Sequence, residues 1–147
     1  MRNKNAARRH YVAPFTGDNT VPADNDFLPV AKFITEITDS SDDVTDEFAD
    51  YAGDGTVQTD IIGIQEAWDI SGTFDSTDPA QALIAGMKRE VGNGRKVWHK
   101  IIDSNETVQV FGVATAQSIV AGSGAAEDHE KFSCTLQFDQ RPTVMAI

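Results

Sequence analysis

The residues that most readily suggest chemistry in this sequence are His10, His99 and His129, Cys134, and a dense run of carboxylates between Asp39 and Asp60. The carboxylates invite a calcium reading, because Asp39, Ser41 and Asp43 match the first ligand positions of an EF-hand loop. The match then stops: Val44 stands where the loop requires glycine for its turn, and Asp50 stands where a bidentate Glu is expected. Glu127, Asp128, His129 and Glu130 are consecutive, and four adjacent loop residues do not converge readily on one ion. Ser123 has Ala121 and Ala125 where a nucleophile elbow needs glycines. Gly92-x-Gly94 lacks a third glycine and follows a helical pattern, which removes a dinucleotide site. A single cysteine makes neither an internal disulfide nor a cysteine-based zinc site. The expectation is a chain with no catalytic, cofactor-binding or metal-binding residues.

The elements that would position such residues are organised around Gly63 to Val91. From Ile62 the side chains alternate, with Ile62, Ile64, Glu66, Trp68, Ile70, Gly72 and Phe74 on one face. Gly63, Gln65, Ala67, Asp69, Ser71 and Thr73 fall on the other, giving the period of two of a half-buried strand. Asp78 then reads as a helix cap, Pro79 suits the first helical position, and Gln81 completes an Asp variant of the capping box. Ala80, Leu83, Ile84, Met87 and Val91 form one apolar stripe, predicting a single α-helix over about 78–91 that lies on a sheet. Lys88 and Arg89 complement its C-terminal end, and Gly92-Asn93-Gly94 stops it.

Residues 1–26 carry Pro14, Gly17 and Pro22 among polar residues, with Tyr11, Val12 and Phe15 as apolar anchors, and read as an N-terminal arm outside the core. A first sheet strand is expected from Phe27 to Ile37, with Ala31, Phe33, Thr35 and Ile37 opposite Lys32, Ile34 and Glu36. Residues 39–60 read as a long acidic loop, in which Val44, Phe48 and Tyr51 suit a short helix before Gly53-Asp54-Gly55 turns the chain back. Its aromatics argue for a contact outside the parent domain. Strands over Arg95–Ile102 and Thr107–Val120 form a hairpin, with a bulge or bend at Gly112. Phe132, Cys134, Leu136 and Phe138 alternate with Lys131, Ser133, Thr135 and Gln137 in a last strand, and 27–147 reads as one domain.

At 147 residues and a formal net charge of -11, the chain has one core and no sustained affinity for phosphates. No apolar run reaches the ~20 residues that span a bilayer, and the basic N-terminus carries no apolar segment of a secretory signal. The lone cysteine suits a reducing compartment.

Four stretches together resemble the major tail tube proteins of long, flexible-tailed (non-contractile) bacteriophages: Tyr51-Ala-Gly-Asp-Gly-Thr56, Ile70-Ser-Gly-Thr-Phe-Asp75, Asp78-Pro-Ala-Gln81, and Phe132 to Phe138. The resemblance covers about two thirds of the chain. It implies a mainly β fold, a β-sandwich or partly open barrel with one flanking helix. It also implies six copies per ring, and rings stacked into a hollow tube through which the genome passes without specific binding. Partners would be further copies of the chain, with a tape measure and a tail terminator. The place would be the virion tail, and the host cytoplasm during assembly. On that reading the candidate inter-ring contacts are Phe48, Tyr51, Asp54, Arg8 and Arg9, and the candidate lumen face is Gln65, Asp69 and Ser71. The polar residues Ser133, Thr135 and Gln137 of the last strand are the alternative face. Two other readings compete: the tube protein of a contractile secretion-type system, and a carbohydrate-binding β-sandwich using Trp68 and Trp98 as stacking platforms.

Overall fold

The computed structural model describes residues 2–147. Its strands are β1 (Arg9–Pro14), β2 (Leu28–Pro29), β3 (Ile34–Asp39), β4 (Asp42–Phe48), β5 (Gln58–Gln65) and β6 (Ala67–Thr73). After helix α1 (Pro79–Ala85) come β7 (Lys96–Ile102), β8 (Val108–Ala121), β9 (Lys131–Phe138) and β10 (Thr143–Ala146). An antiparallel eight-stranded sheet has the order β2-β1-β7-β8-β9-β6-β3, with β10 also on β8, and β4 and β5 form a separate two-stranded sheet. The main sheet curls into a half-barrel, the partly open barrel expected from the sequence.

Alternation builds the wall of this sheet. Phe132, Cys134, Leu136 and Phe138 point inward from β9 and meet Ile70, Val97, Ala114 and Ala116 in one core. Helix α1 adds Ala80 and Ile84, and Met87 follows from the turn after it, so the helix packs on this core face of the sheet. A smaller cluster of Ala13, Phe27 and Trp98, with Tyr11, Phe15, Phe111 and Val113 against it, occupies the opposite face. The Lys100 ammonium sits over the rings of Tyr11 and Phe27, 5.1 and 4.4 Å from their centroids, and 3.6 Å from Asp24. Those contacts hold the 15–28 segment down as a cover.

Several elements differ from the sequence reading. Residues 9–14 are not part of a detached arm: β1 pairs with β7 along its whole length, and Val12 and Ala13 are fully buried. The helix ends at Ala85 instead of continuing to 91. Beyond Gly86 the backbone bonds shorten to i+3 spacing, and the Arg95 guanidinium takes the Lys88 and Glu90 carbonyls that further turns would have used. Val91 is consequently exposed. The strand expected over Phe27–Ile37 is split: Leu28–Pro29 is β2, paired with β1, and β3 begins at Ile34, where a bulge between Ile34 and Glu36 turns both Ile34 and Ile37 toward the core while Phe33 faces out. Pairing of β8 with β7 runs undisturbed through Gly112, the point where β8 exchanges β10 for β9, and the bulge falls at Gln117 to Val120. Finally, residues 42–48 are a strand, not a helix.

Gln81 belongs to the positioning machinery in a way that the capping pattern does not capture. Its backbone N–H donates to the Asp78 carboxylate as expected. Its buried side chain does not return to the cap: the amide donates to the Lys32 and Thr73 carbonyls, both 3.1 Å away, and accepts from Asp75 N–H at 2.7 Å. One side chain thus joins helix, β6 and the entry to β3.

Candidate functional site

β3 and β4 continue one another, and so do β5 and β6. Asp39 stands opposite Trp68 and Asp42 opposite Gln65 in the same register, with Ser40 N–H bonded to the Ala67 carbonyl between them. The chain from Ile34 to Thr73 is therefore one long hairpin. Its base lies in the main sheet and its distal part, 42–65, leaves that sheet as a ribbon about 25 Å long at ~3.4 Å per residue. Two strands alone are marginal in water. This ribbon is also poorly suited to stand free: Asp46 lies directly opposite Asp60, and Ile61, Ile62 and Ile64 are 62%, 65% and 52% exposed. Val44 and Phe48 share one ribbon face; Ile61 and Ile64 share the other. Aliphatic side chains thus stand uncovered on both faces of the ribbon, an exposed apolar surface of the kind that marks an interaction site. The predicted apolar alignment of Ile62 and Ile64 with the core residues Trp68 and Ile70 is thus broken where the strand leaves the sheet.

The candidate contacts separate into two groups. Phe48 ends β4, and Tyr51 and Asp54 occupy the ribbon tip, where Tyr51 is wholly exposed. The Asp54 carboxylate accepts from Thr56 N–H, and the hydroxyl and backbone of Thr56 hold its pKa below the usual value. Arg8 and Arg9, in contrast, are engaged within their own domain. Arg9 pairs with Glu106 at 3.1 Å. Arg8 lies over the Trp68 ring, 5.1 Å from its centroid, donates to the Ile37 carbonyl and donates through Nε to His10 Nε2 at 2.9 Å.

That last bond opens a buried polar chain that sequence reasoning missed. Since His10 Nε2 accepts from Arg8, the His10 proton is on Nδ1, which donates to His99 Nε2 at 3.1 Å. His99 then carries its own proton on Nδ1, which has no partner among the described residues. Burial, with the Arg8 charge added, lowers the His10 pKa to about 4; burial, with His10 beside it, lowers that of His99 to about 3. Both rings are neutral spacers in the sheet and hold no reactive arrangement. The signal available in the sequence was weak: His10 and His99 lie on unlinked segments, and only the β1–β7 register joins them.

The two candidate lumen faces prove to be one. Asp69 stands opposite Thr135 and Ser71 opposite Ser133, and the Asp69 carboxylate accepts from the Thr135 hydroxyl at 2.6 Å and from the Ser40 hydroxyl at 3.3 Å. Glu36 and Thr38 of β3 continue this face on one side, and Thr115 and Gln117 of β8 on the other. It is a wall of hydroxyls and amides with few charges, bounded by the Lys96–Asp139 pair and Lys131. Gln65 is not on it, since it belongs to the ribbon.

Neither tryptophan is a free platform. Trp68 is covered by Arg8 and lies edge-on to His10, and Trp98 is only 5% exposed. Among the described residues no group of His, Cys, Asp and Glu is placed to hold a metal ion. Among the described residues three strands of the main sheet have an unpaired edge: the two-residue β2; β3, continued by β4; and β10, whose Val144 and Met145, with Ile147 just beyond, are exposed.

No family model matches this sequence, and no curated protein matches it. Solved structures do match in fold. One is the tail of an empty GTA particle, determined with C6 helical symmetry: TM-score 0.71 and 14% identity, covering 99% of this chain and 100% of that one. Another is the sheath–tube complex of PVC, an extracellular contractile injection system, in its extended state: TM-score 0.59 and 13% identity over 100% and 93%. A third is the tube-terminating cap of the anti-feeding prophage: TM-score 0.57 and 14% identity over 100% and 93%. The likeness spans the whole chain and includes the ribbon.

Proposed function

We propose that this chain is a structural tail tube protein: copies join into rings, and the rings stack into a tube that conducts DNA. The observation that carries this is the ribbon, an extension of the sheet that exposes aliphatic residues on both faces, in a fold shared end to end with the tail of the GTA particle. The free β3–β4 edge and the unguarded β10 edge supply the rest. A β10 strand without charge or proline invites edge-to-edge pairing, and ring closure turns that liability into the interface. Sixfold rings follow from the C6 symmetry of that tail, taken over here as part of the proposal. A non-contractile phage tail follows from the sequence resemblance, and the likeness to two contractile-system structures supports a second reading, the tube of such a system.

Electron microscopy of the purified protein at increasing concentration tests the assembly. Rings or tubes are expected. A protein that stays monodisperse and monomeric at high concentration and under molecular crowding overturns the reading.

A further inference from the structure

We propose that a groove over Trp98 receives the ribbon tip of a second copy of this chain, a reading that rests on the assembly proposed above. The groove, of about 350 Å³, lies between the 15–21 segment and the turn leading into β10. Phe15, Trp98 and Phe111 give it an aromatic lining, and Lys96 and Arg141 stand at its rim. Lys96 is committed to Asp139. Arg141 is exposed and makes no ion pair among the described residues. The groove therefore combines an aromatic seat with an unmatched guanidinium.

The ribbon tip is its complement. Tyr51 is fully exposed and flanked by Asp50 and Asp54, on a stretch with no Lys or Arg between Lys32 and Lys88. A tyrosine ring set among aromatics brings large apolar area at a small cost in side-chain entropy, and a carboxylate beside Arg adds a charge-assisted bond. No ribbon residue lines the groove of its own chain, so the occupant comes from another copy. The N-terminal cations are the rival seat. Arg8 and Arg9 are already engaged, and Arg2 and Lys4 offer charge with no aromatic lining.

The test mixes two separately purified variants, Ala52→Cys, beside Tyr51 at the exposed tip, and Gln140→Cys, at an assembling concentration under mild oxidation. Burial pushes the Cys134 thiol up to about 12, with Asp69 adding to the effect, so the native cysteine does not compete. A covalent heterodimer from the mixture, and little from either variant alone, is the expected result. Arg141→Glu should also raise the concentration needed for assembly at least tenfold while circular dichroism is unchanged. Assembled particles lacking the cross-link, or a cross-link that forms instead with a Lys4→Cys chain, overturn the docking and leave the assembly intact. A parent chain that never assembles overturns both.

Discussion

Gly72 shows how much a single position can conceal. In the sequence it is one member of an alternating face, and nothing local marks it as indispensable. In the fold a Cβ there would lie 2.1 Å from the Phe33 carbonyl oxygen, because the bulge of β3 and the positive φ of Phe33 press backbone against backbone. Gly72→Ala should cost about 3 kcal/mol in urea unfolding. Gly63→Ala is the control: its Cβ would meet Val44 at an ordinary 3.5 Å, and its cost should stay within about 1 kcal/mol. Equal losses for the two would refute the close-approach argument. The Arg8–His10–His99 chain makes a second residue-scale prediction. Both histidines have folded pKa values of about 4 and about 3, below the ordinary 6.5, so the unfolded chain binds protons first as pH falls. Their contribution is complete above 6.5 and is lost as pH drops toward the folded values. Between pH 6 and 4.5 unfolding free energy should fall by up to ~2.7 kcal/mol per pH unit, at ~1.4 for each ring, before most carboxylates titrate. His99→Phe should roughly halve that slope, read from urea curves across the range. A slope unchanged by the substitution would show that the ring titrates normally.

At the scale of elements, the sequence was most legible where one strand face is buried and the other is not. β9 and β6 follow from alternation alone, and the start of α1 follows from Asp78 and Pro79. Three other elements were decided at a distance. β1 has too few apolar residues to declare itself beside Pro14, and it is a strand because β7 supplies its partners. The end of α1 is set by Arg95, several residues beyond the helix. In the acidic stretch Val44, Phe48 and Tyr51 fit a helical spacing, but pairing with β5 settles the matter in favour of a strand. The functional expectation for that stretch, a contact made outside the parent domain, depended on its length and aromatics and carries over to the ribbon. Replacing 43–64 by a two-residue turn between Asp42 and Gln65 should therefore leave a cooperatively folded body, because the core clusters contain no ribbon residue. Assembly should be lost. Tubes of normal length from this variant, seen by electron microscopy, would remove the ribbon from the interface.

Over the whole molecule the charge is unevenly placed, and the sequence total of -11 conceals this. Acids crowd the ribbon, whereas the polar face of β6, β9 and β8 carries mostly hydroxyls and amides around Asp69. Alternation showed both halves of that face; only the β6–β9 register showed that they are the same wall. We propose that, in a tube that passes DNA, this wall faces the lumen. Counterion release on phosphate binding requires cations, and each cation repeated around every ring would hold the moving polymer. Asp69→Lys tests this directly. The substitution forfeits the bonds from Thr135 and Ser40 at an exposed site, a loss of about 1 kcal/mol that the fold should tolerate. Rings and tubes should still form, since neither the ribbon nor the free edges are touched. DNA release through tubes of this variant should slow and should recover as salt is raised, because screening and counterion competition weaken each phosphate contact. Glu90→Lys, exposed in the turn after the helix and so on the other side of the sheet, introduces the same charge elsewhere and should leave release unchanged. If both variants release DNA at the parent rate at every salt concentration, the β6–β9 face lies on the outer wall, and the lumen is lined by another surface.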